Sequence, residues 1–451
     1  MDLRRTDTRG LSRKWVSLTG VLAGAMLLAA CTGGNATDSK APPKPNQVSG
    51  TIVMAEPSDN PGDIALRNQL AKQFMKTHPK IKVKILIVPA TSYNQKVQTM
   101  IAGGTAPDIF GSGDVQIPNI ASKNFALDLK PYVERDKYDL SAFYPQIVDS
   151  LTYDGKLLGL TDNWDTQVMY YNASLFQKVG IPEPTADWTW SDFVSAARKL
   201  TSGSGSSKVY GAVFDNWFAP YYDQIWENGG DPYPDNGTKC GFDSSAAVNA
   251  FNQIVSLYKS GVSPTPSQFS DQGAEQLFLS GKVGMMLGSG RWAAYDMRDV
   301  KRFLWKVAPI PKGSAGRANF FHVSMFAISR DSKNPEAAWE FLKYMVSPAG
   351  IKSGLAAAQG IPSSPSIADS AAFRNDPFVV KHNSVQPFIE SLPTVHRAPN
   401  LANFNQVQDT ADAQLDALWS LKSSPEQVLP KVCQAVTPLL QAGGSVPGGG
   451  N

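Results

Sequence analysis

From Thr51 to Ile87 the chain spells out a strand, a helix and a second strand. Thr51-Ile52-Val53-Met54-Ala55 is a compact apolar run, Leu66, Leu70 and Phe74 recur at helical spacing between Ile64 and Lys76, and Ile81, Val83, Ile85 and Ile87 alternate with Lys82, Lys84 and Leu86 before Pro89. A strand that returns after a crossover helix is the minimal unit of a parallel sheet. The pattern continues with a helix over Tyr93 to Ala102, a strand at Asp108-Ile109-Phe110 and a strand over Leu157 to Thr161. Helices are predicted over Ser191 to Leu200, over Ala246 to Lys259 ending at Gly261, and over Pro335 to Val346 with Asn334 as cap. The last stretch, Asp409 to Gln441, reads as helical. Such alternation predicts an α/β protein with sheets covered on both faces. A chain of 451 residues exceeds what one core usually organises, so two lobes are expected. In open sheets of this kind ligands bind beyond the carboxyl ends of the strands, which directs attention to Glu56 to Asp63, Gly111 to Asp114 and Asp162 to Gln167.

The formal net charge of +3 invites a nucleic-acid reading, but Arg4, Arg5, Arg9, Arg13 and Lys14 against Asp2 and Asp7 account for all of it. The remainder is near neutral and carries no basic stripe for phosphate tracking. The basic stretch, the apolar run Val16 to Ala30 and the small residues before Cys31 read as an export signal over 1–30, too short for a transmembrane helix. Leu28-Ala29-Ala30-Cys31 resembles a bacterial lipobox, which implies cleavage before Cys31 and acylation of its thiol. Acyl chains would hold the protein to a membrane at about 0.8 kcal/mol per buried methylene. The Gly-, Asn- and Pro-rich stretch that follows, 31–49, is expected to be a tether. Cys240 and Cys433 remain as an even pair in an oxidising compartment, compatible with a disulfide or with two buried thiols.

Catalytic and cofactor patterns are sparse. His78, His322, His382 and His396 lack zinc spacing, no Walker loop or dinucleotide fingerprint follows a strand, and Gly288-Ser289-Gly290 does not complete a nucleophile elbow. No cofactor or metal is expected. Paired carboxylates of the glycosidase type can meet in space whatever their spacing, so a secreted glycosidase is the enzyme-class rival.

Several segments in order resemble extracellular solute-binding protein family 1, the binding components of ABC importers. They are Gly103-Gly104-Thr105-Ala106-Pro107-Asp108-Ile109; Tyr153-Asp154-Gly155-Lys156-Leu157-Leu158-Gly159-Leu160 followed by Met169-Tyr170-Tyr171-Asn172; Trp188-Thr189-Trp190-Ser191-Asp192-Phe193; Trp226-Glu227-Asn228-Gly229-Gly230-Asp231; Phe278-Leu279-Ser280-Gly281-Lys282-Val283-Gly284; and Asn334-Pro335-Glu336-Ala337-Ala338-Trp339. The resemblance implies a two-lobed periplasmic-binding-protein-like fold, each lobe a mixed sheet flanked by helices, with a hinge between. It places the first lobe at 50–163 and 316–366 and the second at 164–315 and 367–451. It further implies a monomer without enzymatic activity that captures a small solute by hinge closure and delivers it to transmembrane permease subunits.

A sugar presents hydroxyls around C–H faces, so its site needs fixed acids or amides beside flat rings. Trp292 aligns with a tryptophan that sugar binders of the family stack on ligand, and Arg291 precedes it. Trp164 and Asp165 sit at the hinge crossing, where both lobes can reach a ligand, Trp217 sits on the loop before Trp226-Glu227-Asn228-Gly229-Gly230, and Glu56, Asp59 and Asp114 follow predicted first-lobe strands. Phe320 and His322 stand where many relatives carry a glycine pair. Acids and indoles favour a neutral sugar, from mono- to oligosaccharide. A glycerophosphodiester or other phosphorylated polyol, also bound within the family, would want a cationic or amide-rich cleft, and Arg291 is the only cation among these candidates.

Overall fold

A computed structural model describes residues 47–57, 61–269, 273–352 and 360–443. The expected signal, Cys31 and Asp59 lie outside them, as does most of the expected tether. The tether's last part does not stay loose, because Val48 is buried in the core.

Three four-stranded sheets organise the chain. The first runs in the order Met325–Ile328, Ile109–Ser112, Gly50–Pro57, Ile81–Val88. Gly50–Pro57 pairs in parallel with both neighbours, and Met325–Ile328 closes the edge antiparallel. The crossover helix Pro61–Thr77 makes this the parallel unit predicted from the sequence. The second sheet runs Trp305–Ala308, Val168–Asn172, Val283–Ser289, Tyr210–Phe214. Both its faces are covered, so Val283–Ser289 is buried at every position and reads as a continuous apolar run. Met169, Tyr171, Met285 and Leu287 pack into one hydrophobic cluster, whereas Val168, Tyr170 and Met286 join another that continues through the first sheet.

The third sheet joins the other two. Its order is Ile361–Pro362, Asn163–Thr166, Asn319–Val323, Val395–His396. Asn163–Thr166 leads through Gln167 alone into the second sheet, and Asn319–Val323 leads through Ser324 alone into the first. The chain therefore changes sheet at two single-residue junctions that lie at opposite ends of the antiparallel Asn163–Thr166 and Asn319–Val323 pair.

Local signals set the helices. Trp190–Leu200 starts at a reciprocal cap in which Thr189 Oγ1 accepts from the Asp192 amide and Asp192 Oδ2 accepts from the Thr189 amide. Ser245–Lys259 starts where Ser244 Oγ accepts from the Ala247 amide. Pro335–Met345 follows Asn334, but the Asn334 side chain donates to the Thr51 carbonyl instead of capping. The helical C-terminal stretch is two helices, Phe404–Trp419 and Pro425–Gly443. The predicted strand over Leu157 to Thr161 is replaced by a two-residue ladder at Lys156–Leu157 and one bridge from Leu160 to Phe326; the continuous strand comes next, at Asn163–Thr166. Cys240 and Cys433 form a disulfide, with Cα atoms 5.4 Å apart, tying the last helix to the loop before Ser245–Lys259.

Candidate functional site

The Ser324 junction opens onto a cleft. One compartment of about 280 Å³ is lined by Asp114, Asn163, Asp165, Trp292, His322 and Ser324. In the third sheet Asp165 lies directly opposite His322 across the antiparallel ladder, and alternation sends their neighbours Trp164 and Phe321 to the other face.

Each carboxylate is fixed by the backbone that follows it. Asp114 Oδ1 accepts from the Val115 amide at 2.7 Å, and Asp165 Oδ1 from the Thr166 amide at 2.8 Å. Asp215, in the loop after Tyr210–Phe214, does the same with the Asn216 amide at 2.9 Å. Asp165 Oδ2 also accepts from the Arg291 amide at 2.7 Å. That approach needs Gly290 in front of it, because a Cβ there would meet Asp165 Oδ2 at 2.6 Å. Tyr170 buttresses the same turn, its hydroxyl donating to the Gly290 carbonyl and accepting from the Ala294 amide. Burial lifts Asp165 to about 7, against the opposing pull of His322, the two amides and the Arg291 guanidinium. Burial likewise lifts Asp215 to about 6.

His322 ties the first sheet's loop to the second sheet's junction. Its Nδ1 lies 3.0 Å from Asp114 Oδ2 and its Nε2 lies 2.7 Å from Gln167 Nε2. With the proton on Nδ1, the ring donates to Asp114 and accepts from the Gln167 amide group. Trp217 stacks on His322 at 5.6 Å, and Trp292 meets both rings edge-on, at 5.6 Å from His322 and 6.4 Å from Trp217. The Trp217 indole N–H donates to the Gly288 carbonyl, which fixes that ring. Both indoles remain half-buried, and Trp292 lines the compartment while Trp217 backs it through His322.

A second compartment of about 310 Å³ meets the first at Gly113, Asn163 and Ser324. Its floor is a buried ion triad: Arg67 lies 3.1 Å from Glu56 Oε1 and 3.6 Å from Asp162 Oδ2, with all three side chains at most 8 % exposed. Burial alone would lower the Arg67 pKa, but the two carboxylates outweigh it and raise it.

The structure therefore brings together Asp114, Asp165, His322, Trp217 and Trp292, with Glu56 in the adjoining compartment. Three expected residues sit elsewhere. Trp164 is fully buried against Tyr144 and Phe321, on the opposite face of its strand from Asp165. Phe320 is fully buried among Phe218, Tyr222 and Trp226. Arg291 turns its guanidinium into the protein, donating to the Ser384 and Gly360 carbonyls over the Phe373 ring, and only its amide serves the site. Sequence reading missed Arg67, Asp162, Asn163 and Ser324. Asp162 and Asn163 lie within a segment it selected, whereas Arg67 looks like one more polar helix position.

Two sheets joined at paired junctions, with acids and indoles converging between them, define a two-lobed solute-binding protein. The chain belongs to the bacterial extracellular solute-binding protein family, which matches residues 59–352. It superposes on an ABC substrate-binding protein from Listeria monocytogenes in complex with cycloalternan with a TM-score of 0.78 and 27 % identity, covering 87 % of this chain and 99 % of that one. It is 23 % identical over 431 residues to a galactooligosaccharide-binding protein of Bacillus subtilis, covering 93 % of this chain and 95 % of the relative. It is also 25 % identical over 414 residues to the sn-glycerol-3-phosphate-binding periplasmic protein of Pectobacterium atrosepticum, covering 83 % and 88 %. These relatives are binding proteins, and the family is extracellular. Among the described residues no helix is long and apolar enough to cross a membrane.

Proposed function

We propose that this protein captures a neutral carbohydrate between its lobes and hands it to an ABC importer permease. The observation that carries this reading is the pairing of amide-held Asp114 and Asp165 with the Trp217–Trp292 wall across the sheet junctions. Oriented carboxylates accept hydroxyl protons, and indole faces take the C–H surface of a sugar ring. A phosphorylated solute would need free cationic donors. The arginine lining the two compartments, Arg67, is already committed to Glu56 and Asp162. The chemistry ends at binding, with no bond of the solute altered.

The sheet composition supports lobes of 50–163 with 316–366 and 164–315 with 367–451, closing about Gln167 and Ser324. The signal-like 1–30 and Cys31 support anchoring by acyl chains on the extracytoplasmic face of the cell membrane. Thermal-shift screening of the purified protein against sugars, glycerophosphodiesters and amino acids tests the reading. A solute at one hundred times its Kd adds about 2.7 kcal/mol of stability. Shifts confined to sugars, without product, are expected; a response to glycerophosphodiesters alone, or hydrolysis of the sugar, would overturn it. Mass spectrometry of the membrane fraction checks the anchor, and a Cys31→Ser protein is expected to leave that fraction.

A further inference from the structure

Accepting the acyl anchor at Cys31, we infer that the end of the first sheet farthest from the cleft is a second membrane contact, a basic face that lies on anionic phospholipid headgroups. Gly50–Pro57 and Ile81–Val88 run parallel and in register. Their carboxyl ends, with Glu56, face the cleft, and their amino ends form the opposite edge about 20 Å away. The chain coming from Cys31 enters at that edge, where Val48 is buried and the Gly50 amide donates to the Lys80 carbonyl at 3.1 Å. The turn after Pro61–Thr77 holds Lys76 beside the same edge, since the His78 amide donates to the Phe74 carbonyl and the Ile81 amide to the His78 carbonyl. Met325–Ile328 runs antiparallel to its neighbour and leads through Arg330 and Lys333 to Asn334, whose side chain donates to the Thr51 carbonyl. The residues between Cys31 and Val48 span about 60 Å at full extension and about 23 Å as a coil, so this edge reaches the surface that holds the acyl chains.

The charge at this edge is one-sided. Lys76, Lys80, Lys82, Arg330 and Lys333 are all exposed, and Lys82 alternates with the buried Ile81 and Val83. Lys76, Lys82, Arg330 and Lys333 make no ion pair among the described residues. Between Asp63 and Asp108 the chain carries no Asp or Glu. Of the acids nearby, Asp108 accepts from the Val53 amide and the Ser332 hydroxyl, Glu336 is paired with Arg135, and Asp331 is exposed. The cations come from segments far apart in the chain, so no basic stripe shows in the sequence; the sheet gathers them. A protein partner would want an apolar centre to its footprint. Among the described residues the large exposed hydrophobics are Val179 and Val380, neither of them in these segments. A flat anionic surface needs only the charge.

Each cation held near an anionic surface strengthens binding about fivefold, and these together roughly three-thousandfold. That is the marginal, reversible range of a single acyl chain, so the contact orients an anchored protein and does not retain one that has lost its anchor. The cleft, at the far ends of the same strands, stays open to solute. The test uses the chain from residue 31 onward carrying Cys31→Ser, so that acylation plays no part, in co-sedimentation with phosphatidylcholine vesicles with and without about one-third phosphatidylglycerol. Binding to the anionic vesicles at about 0.05 M NaCl is expected, weakened about tenfold or more at 0.5 M, with none to the neutral vesicles. Lys82→Gln with Lys333→Gln should weaken it about twentyfold, at unchanged melting temperature and solute affinity. Lys178→Gln with Lys259→Gln, exposed lysines elsewhere, should leave it within about twofold. No binding to anionic vesicles, equal binding to neutral ones, or equal loss in both pairs overturns the inference. Binding confined to native membranes also overturns it, in favour of a membrane protein, and a dimer lost in the Lys82→Gln, Lys333→Gln protein does so in favour of a second copy. A native protein whose Cys31 carries no acyl mass overturns the anchor and leaves the vesicle result to stand or fall by itself.

Discussion

The two compartments of the cleft hold their acids by opposite means. In the first, Asp114 and Asp165 are fixed by peptide N–H groups, with His322 as an adjustable partner. In the second, Glu56 and Asp162 are fixed by a buried guanidinium. An amide orients a carboxylate without neutralising it, so burial can lift Asp165 to about 7 and leave it responsive to an arriving hydroxyl. A guanidinium pins the charge of its partners and makes the fold depend on the set staying complete. One side of the cleft is thus built to respond to solute, and the other to hold the first sheet's strand ends in place.

The largest effect expected from this contrast is on stability. Arg67→Met leaves Glu56 and Asp162 buried without their counter-charge and should cost about 3–5 kcal/mol in denaturant unfolding. A loss below about 1 kcal/mol would mean the triad is not structural. Next, Trp292→Ala should cost about 2 kcal/mol of solute binding, roughly thirtyfold in Kd by titration, with little change in melting temperature. An equal fall in both would make the indole a core residue rather than a contact.

The pH response sharpens the comparison further. Asp165 binds its proton up to about 7 in the fold against 3.8 as its ordinary value, so the native state holds more protons in that window and stability falls as pH rises through it. Asp165→Asn should remove this part of the slope in melting curves taken from pH 4 to pH 8. A solute hydroxyl donating to Asp165 favours its ionised form, so binding at pH 6 should release a fraction of a proton, read by calorimetry in buffers of different ionisation heat. The Asp165→Asn protein should release none from this site. The smallest effect is that of salt. With a neutral solute, raising NaCl from about 0.05 to 0.5 M should change Kd by less than about twofold, whereas a screened anion would weaken far more.

Legibility followed locality. The Thr51–Ile87 unit, the helices over Tyr93 to Ala102 and Ser245 to Lys259, and the loops carrying Asp114 and Asp165 could be read because apolar period and cap residues act within a few positions. Residue type and loop position also singled out Trp217 and Trp292. The same reasoning placed Trp164 with Asp165, and Phe320 with His322, since adjacency along the chain says nothing about which face of a strand is the wet one. Only the pairing of Asn163–Thr166 with Asn319–Val323 turned Asp165 and His322 into the cleft and their neighbours into the core.

What the sequence determined by itself is therefore the alternation of strands and helices, the family, and the kinds of side chain available to a solute. The tertiary structure alone decided that Arg67, from the first crossover helix, meets Glu56 and Asp162 from two different strand ends, that Cys240 meets Cys433 across 193 residues, and that Gly113 faces empty space. Those contacts depend on how sheets cross and which donors are left over once the backbone has been satisfied, and no local pattern in the chain encodes either.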